Sequence, residues 1–581
     1  AYEELLTLGP AVVPACLRII QEGNSSARMW AAAALATTKD PRGRDPLIAL
    51  LRDEHPNVRM IASHHVHQYI ETDPRVAPAL GAQLADPEKG VREQARNILY
   101  KTMPPSALPN IQQALQAPTL DARADALRMV LAYEKKNLVV EVPKIVASNE
   151  NGLLRSAAVR VWPTAGKLDA QRGLQIVERV ADPDPLVAEA ALRVLRGFFE
   201  EPPLTGEAMR QIVTAATTAV AEAVKRPEPN VREYAMPLLG HLQKQEALPA
   251  LALALQKDEA PSVRAAAAQS LARTKLYDAR MLDPLVAAQA DAAPEVRAVA
   301  LRLLAGLAKK DDVPPPFRAA ITEKLAALGD APLTDPDAAV RAVAYAALAE
   351  SLKDKATKTL AEATNSEKDP EARRGAVIGL FMTGERDMNT VTALVDALGD
   401  ADPGVSAAAN RAARKRLGGD EIEEGVRAAV VRRLQTFAAD KDAALRARAL
   451  PVLALAAGVA ARPSLLSAVR TDPDAAVRKA AMEALNVAAY REALRQAKSG
   501  KAQAAKTPPK PPRDAEALDA IILALKDETI LVRETAYKLF RTWSGQNLPF
   551  HPTGKPEMRD RELATIEKWW AENRAEFAQP K

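Results

Sequence analysis

One signature recurs from end to end of this chain, about every 32 residues: an Asp, often followed by Pro, and six residues later the Arg of a Val-Arg-x-x-Ala run. Copies pair Asp53 with Arg59, Asp86 with Arg92, Asp258 with Arg264, Asp291 with Arg297, Asp335 with Arg341, Asp472 with Arg478 and Asp527 with Arg533. Weaker copies at Arg28, Arg123, Arg155, Ala188, Arg232, Arg373, Ser406 and Arg446 fill the intervals and bring the total to fifteen. A period of this length means one supersecondary unit repeated, rather than several unrelated domains.

Each signature lies between two apolar stretches of helical period, as in 76–84 and 91–100, so the unit is a helical hairpin. One hairpin cannot bury its own apolar face, whereas a row of hairpins shares a continuous core in which each touches its neighbours. Composition agrees: 48% hydrophobic residues with only 4% aromatic ones describe Ala- and Leu-rich helices packed closely, rather than a sheet. The expected fold is all-α, a right-handed α-solenoid (superhelix) of about fifteen hairpins. The solenoid is expected over residues 1–495, a basic Pro/Lys-rich loop over 496–513, and the last repeat with a C-terminal capping helix over 514–581.

An Asp on the turn and an Arg in the first turn of the second helix invite a structural role. Repeated, they form a ladder in which each carboxylate accepts hydrogen bonds from the Arg of its own or the adjoining unit and from free helix N–H groups. Asp86 with Arg92, Asp335 with Arg341 and Asp472 with Arg478 represent it. A pair repeated this often cannot be an active site in every unit.

The pattern, clearest from Asp472-Pro473 through Val477-Arg478 to Ala481, resembles that of HEAT-repeat proteins of the short bacterial kind, related to the HEAT-like repeats of phycobilin lyases. The resemblance covers nearly the whole chain and implies an armadillo-like helical fold. For function it implies a scaffold or adaptor; a few enzymes, a family of alkylpurine DNA glycosylases among them, are built on the same superhelix. Lesion recognition by such an enzyme needs a basic groove with aromatic residues and an acid gathered together. Here Trp30, Trp162, Trp543, Trp569 and Trp570 are scattered, and none adjoins the main basic stretch. The C-terminal run from Trp543 through Leu548-Pro549-Phe550 to Trp569 and Trp570 resembles the closing module of bacterial HEAT proteins, which implies that these two Trp cover the last apolar face.

From Val187 the repeated apolar position recurs at 231, 263, 296, 340, 372, 405, 445 and 477, so every third step is long. A triplet of hairpins is the duplicated unit, and the extra residues near 200–210 and 306–317 are expected as longer helices or loops on one face. Pro202-Pro203 and Pro314-Pro315-Pro316 are expected there as kinks or stiff turns.

Charge is nearly balanced overall, with 79 basic and 74 acidic residues, which gives no general case for nucleic acid. Residues 401–520 are richer in base, with 21 Lys and Arg against 14 Asp and Glu. Arg411, Arg414, Lys415 and Arg416, supported by Arg432 and Arg433, are the densest patch. Lys498, Lys501, Lys506 and Lys510 belong to the low-complexity run 496–513, which contains no acid. These ten residues are the candidate partner-binding set.

Motifs that carry chemistry are missing from the sequence: it has no CxxC, HExxH, Gly-rich phosphate loop or GxSxG, so no catalytic residue or cofactor is assigned. Cys16 is the single cysteine and is expected as a buried thiol. His55, His64, His65 and His67 cluster, yet the third ligand for a metal held by His64 and His67 would have to come from the far end of the hairpin, so no metal is assigned. No apolar run reaches the roughly 20 residues of a membrane span. The chain begins with Ala within what looks like a first helix, as if processed or truncated; a periplasmic or secreted location is preferred, with the cytoplasm a close alternative. The functional expectation is a non-enzymatic scaffold binding one or more proteins on the concave face, probing as alternative an anionic partner, nucleic acid or acidic protein, at 411–513.

Overall fold

The computed structural model describes residues 9–38, 40–148, 150–418, 422–499 and 514–578. The chain divides into two compact units, Ala1–Ala288 and Gln289–Lys581. No strand occurs among the described residues; fifteen helical hairpins follow one another, and a final helix, Pro556–Ala578, closes the order. The division falls in the turn of the ninth hairpin, between Ala279–Ala287 and Pro294–Lys309. Within each unit the second helices pack side by side, forming one layer of a helical solenoid, with the first helices as the other.

The signature explains why each second helix starts where it does. The signature Asp folds back on the turn: Asp53, Asp86, Asp258, Asp335, Asp472 and Asp527 each accept from the backbone N–H two residues on, at 2.8–3.0 Å. A Pro often opens the helix, as at Pro185, Pro229, Pro261 and Pro294, where its missing N–H would be unbonded anyway. The following Val and Ala then enter the core, with Val58, Ala62, Val263, Ala267, Val477 and Ala481 fully buried.

The signature Arg holds consecutive hairpins together. Its Nη1 donates to two carbonyls of its own turn, while Nε and Nη2 fork onto the acid of the next turn. Arg59 thus bonds the carbonyls of Asp53 and Glu54 and both Asp86 oxygens, the latter at 2.7 and 2.9 Å. Arg232 takes Asp258, Arg297 Asp335, Arg341 Glu367, Arg373 Asp400, Arg446 Asp472 and Arg478 Asp527 in the same way. Between the two choices open from sequence, the carboxylate partner is that of the adjoining unit. An offset of six within one turn brings the Arg only to the backbone carbonyl of its own Asp.

Where the signature weakens, substitutes appear. Position 117 is Ala, so Arg92 finds Asp125 in the body of the next second helix instead, at 3.0 Å. Arg123 has Ser156 Oγ at 3.5 Å where a carboxylate would stand. At Ala188 the missing guanidinium is supplied by Arg226, which donates to Asp182 O at 2.6 Å. After the last repeat Arg533 reaches Pro552 O at 2.8 Å in the closing segment.

Every third first helix is lengthened from the seventh hairpin on. Most first helices span ten residues or fewer, whereas Gly206–Ala223 has 18, Pro315–Ala327 has 13 and Glu424–Ala438 has 15. The long steps in the sequence are therefore longer helices, and Pro315 and Pro316 open one rather than kinking it. The most apolar run, Ala443–Thr471, is 29 residues long and holds an 18-residue stretch of mean hydropathy 1.7, by length and composition enough to span a membrane, contrary to expectation. It breaks at Gly458, whose φ of +57° suits glycine, into two helices that bury Leu450, Val452, Leu453 and Leu465 in the stack.

The helix Ala475–Ser499 continues into the stretch expected as loop from 496 and takes in Lys498; residues 500–513, with Lys501, Lys506 and Lys510, lie outside the described residues. At the C-terminus Trp570 is buried and donates Nε1–H to Asp519 at 2.7 Å; Trp569 packs edge-on against Phe540.

Candidate partner-binding surface

The basic residues expected to act as one patch are distributed over both layers. Arg411, Arg414, Lys415 and Arg416 lie on a second helix, Pro403–Leu417, whereas Arg432 and Arg433 lie on the next first helix, Glu424–Ala438. The first packs between the second helices Pro370–Thr383 and Ala443–Ala457; the other packs on the first helix Met388–Asp396. Linear proximity concealed this, because a hairpin sends its two helices to different layers.

Half of these cations are also engaged within the fold. Arg416 stacks on Phe381 and donates to its carbonyl, and burial pushes its guanidinium below the ordinary range. Lys415 lies 5.3 Å from the centre of the same ring. Arg433 pairs with Asp396 at 2.6 Å and covers Phe437 at 4.5 Å. Arg411, Arg414 and Arg432 are exposed, with no ion pair among the described residues.

The histidines pack on one another: His64 and His65 lie 4.9 Å apart edge to face, and His64 and His67 5.9 Å. Burial, and then the neighbouring His64 and His67, push His65 down to about 4. Among the described residues no group of three His, Cys, Asp or Glu side chains gathers at metal-binding distance.

The structure brings together a second set of cations that linear charge counting missed. In the first unit a cleft of about 850 Å³ opens between the second helices Lys89–Thr102 and Leu120–Tyr133, lined by Arg96, Lys101, Arg128 and Lys136. Tyr100, 66% exposed, and Val139 form its apolar side. Gly166, at φ +98°, borders it where a Cβ would lie 3.0 Å from Val139, so a side chain there would be strained and crowded.

One carboxylate serves three guanidiniums at this cleft. Asp125 accepts from Arg92 at 3.0 Å, Arg96 at 2.8 Å and Arg128 at 3.3 Å, leaving two positive charges uncompensated within the group. Burial lowers the Arg128 guanidinium, Asp125 opposes that, and Arg96 and Arg160 add to it. Lys101 is exposed without an ion pair among the described residues, while Lys136 meets Glu134 at 2.9 Å.

The signal for this surface was available in the repeat. Arg128, Arg160 and Arg193 each stand six residues after the repeated apolar position of their own units, so they occupy one site on three consecutive second helices. Arg160 pairs with Asp121 at 3.0 Å, and Arg193 with Glu189 at 3.4 Å while lying over Tyr234. Exposed pairs of this kind are worth at most about 1 kcal/mol, so they exchange partners readily. In the second unit a smaller pocket of about 220 Å³ lies between Leu301, Leu325, Leu333 and Leu348 and is largely apolar.

A model of HEAT repeats matches residues 13–100, 217–305 and 325–414. No curated protein matches the chain. Among solved structures, Kap121p bound to Pho4p aligns at 13% identity and a TM-score of 0.45, covering 85% of this chain and 56% of that one. Kap121p bound to RanGTP aligns at 12% identity and a TM-score of 0.42, covering 86% and 56%. An engineered protein aligns at 19% identity and a TM-score of 0.34, covering 66% of this chain and 98% of its own. The chain thus spans a little over half the length of the Kap121p chains in those two complexes.

Proposed function

The chain is a HEAT-repeat protein, and from that premise we propose that it is a non-enzymatic scaffold or adaptor that binds protein partners along its layer of second helices. The observation that carries this reading is the division of labour among the arginines. Those at the signature are absorbed in joining hairpins, whereas Arg96 and Arg128, farther along their second helices, line an open cleft with Tyr100. Arg and Tyr are the side chains on which protein interfaces most depend.

The test is site-specific photo-cross-linking in a lysate of the source cells. A photoreactive residue at Asn97, Gln269 or Ala346, on second helices, should capture discrete protein partners; the same residue at Leu253 or Thr392, on first helices, should not. Equal capture from both layers would count against the reading. The alternative, an anionic partner at 411–513, is supported by the exposure of Arg411, Arg414 and Arg432, but their separation over two layers favours the first reading.

A further inference from the structure

We propose that the cleft at Arg96, Lys101 and Arg128 binds an extended acidic segment of a protein partner, with carboxylates on the cations and an apolar side chain against Tyr100 and Val139. This rests on the scaffold reading and names the chemistry of what the scaffold holds.

The first argument is charge. Three guanidiniums share Asp125, and Lys101 adds an exposed cation at the rim, so the cleft keeps an excess of positive charge beside low-dielectric walls. Clefts of one sign bordered by apolar surface concentrate counter-charges. Arg96 and Arg128 each reach Asp125 through Nη1, and both line the cleft, where a guanidinium can take a second carboxylate.

The second argument is shape. Asn97 and Asn137 line the cleft beside Tyr100 and Val139; Asn97 offers an amide donor and acceptor to a peptide backbone, Asn137, whose Oδ1 accepts from Val139 N–H at 2.9 Å, offers its donor, and Tyr100 and Val139 offer apolar contact.

The third argument is spacing. Neighbouring helices pack roughly 8–10 Å apart. A polyproline-II segment returns to the same face every three residues, about 9 Å along its axis. Arg128, which lines the cleft, and Arg160 and Arg193, which lie beyond it, stand on consecutive second helices at one offset, so a segment that leaves the cleft along this row meets a cation at each helix. The matching ligand therefore carries an acid at every third position.

The experiment measures fluorescence anisotropy of labelled 12-residue peptides with the full chain at about 50 and 150 mM salt. The probes are four repeats of Glu-Pro-Leu, four of Gln-Pro-Leu, and a 12-nucleotide single-stranded DNA. The Glu peptide should bind at least fivefold more tightly than the Gln peptide, and more weakly at the higher salt. Arg128→Gln should lower its affinity at least fivefold; Lys101→Glu, at an exposed position outside the ladder, should do the same without risk to folding. Binding of the Glu peptide unchanged within twofold in Lys101→Glu, or no preference for Glu over Gln, overturns the proposal, as does tighter binding of the DNA. If the peptide fails while cross-links from the second helices persist, the cleft proposal falls alone; if both fail, the scaffold reading falls with it.

Discussion

Arg478 and Asp527 are 49 residues apart in sequence and meet side by side, Nε and Nη2 donating to the two carboxylate oxygens at 2.6 and 2.9 Å. The third arm of the same guanidinium donates to the carbonyls of Asp472 and Pro473 at 2.8 and 3.0 Å. The fork has the same form where the partners are 26 residues apart, in Arg446 and Asp472, and 38 apart, in Arg297 and Asp335. Insertions are accommodated between rungs, so the joint between hairpins does not depend on the length of chain that connects them.

Replacing Arg478 by Leu should therefore loosen one joint. It strands the part-buried Asp527 carboxylate and two carbonyls, a loss of about 2–4 kcal/mol. Lys at the same position should rescue little, because a point charge cannot fork onto two oxygens while reaching the turn. Hydrogen exchange should speed up in Ala475–Ser499 and Ile530–Ser544 and stay unchanged in the first unit. A uniform increase along the chain would contradict nearest-neighbour stability.

The same rungs set the response to acid. Burial pushes the carboxyls of Asp400, Asp472 and Asp527 up, but hydrogen bonds from Arg and the turn amide outweigh it and hold them below the ordinary value. A folded value below the unfolded one contributes stability that is present above about pH 4 and lost as pH falls through the folded value. The urea midpoint should thus drop between pH 5 and pH 3, and Asp472→Asn, already weaker at pH 5, should drop less.

Close approach of the second helices gives a different test. A Cβ on Gly375 would lie 2.4 Å from the Cα of Ala342, and one on Gly379 2.8 Å from the Tyr345 carbonyl, both backbone atoms that cannot move aside. Gly375→Ala should cost about 1–3 kcal/mol through overpacking. Gly306, in the helix Pro294–Lys309, has no atom within 4 Å of its Cβ position, and Gly306→Ala should stabilise by about 0.5–1 kcal/mol. Thermal unfolding that moves both variants in one direction would refute this account.

The hairpins were legible because Val477, Ala481 and their counterparts recur four residues apart and most of them enter the core. The ladder was half legible: the spacing of Asp472 and Arg478 fixed their places on the turn, but which unit supplied the carboxylate depended on how neighbouring hairpins stack. The basic surface was legible only as composition, since summing charge over 401–520 joined Arg411 to Arg432, which stand on helices of different layers. The cleft at Arg96 and Arg128 escaped because those residues are spread over two repeats among acids that balance them in a linear count. Comparing residues at one offset from the repeated Val would have aligned Arg128, Arg160 and Arg193.

The separation of Arg411 and Arg414 from Arg432 predicts independence. Charge reversal of the first pair alters the second-helix layer, whereas reversal of Arg432 alters the first-helix layer, and the two share no partner among the described residues. If an anionic probe such as a 20-nucleotide single-stranded DNA binds here at low salt, it contacts one layer at a time. The free-energy changes of Arg411→Glu with Arg414→Glu and of Arg432→Glu should then add within about 0.5 kcal/mol, as distant sites do. The parent's dependence on salt should flatten when the layer that holds the probe is reversed and stay as it was when the other is. Coupling above about 1 kcal/mol in the combined variant would mean that a single ligand bridges both layers, and would restore the continuous 411–433 patch expected from the sequence.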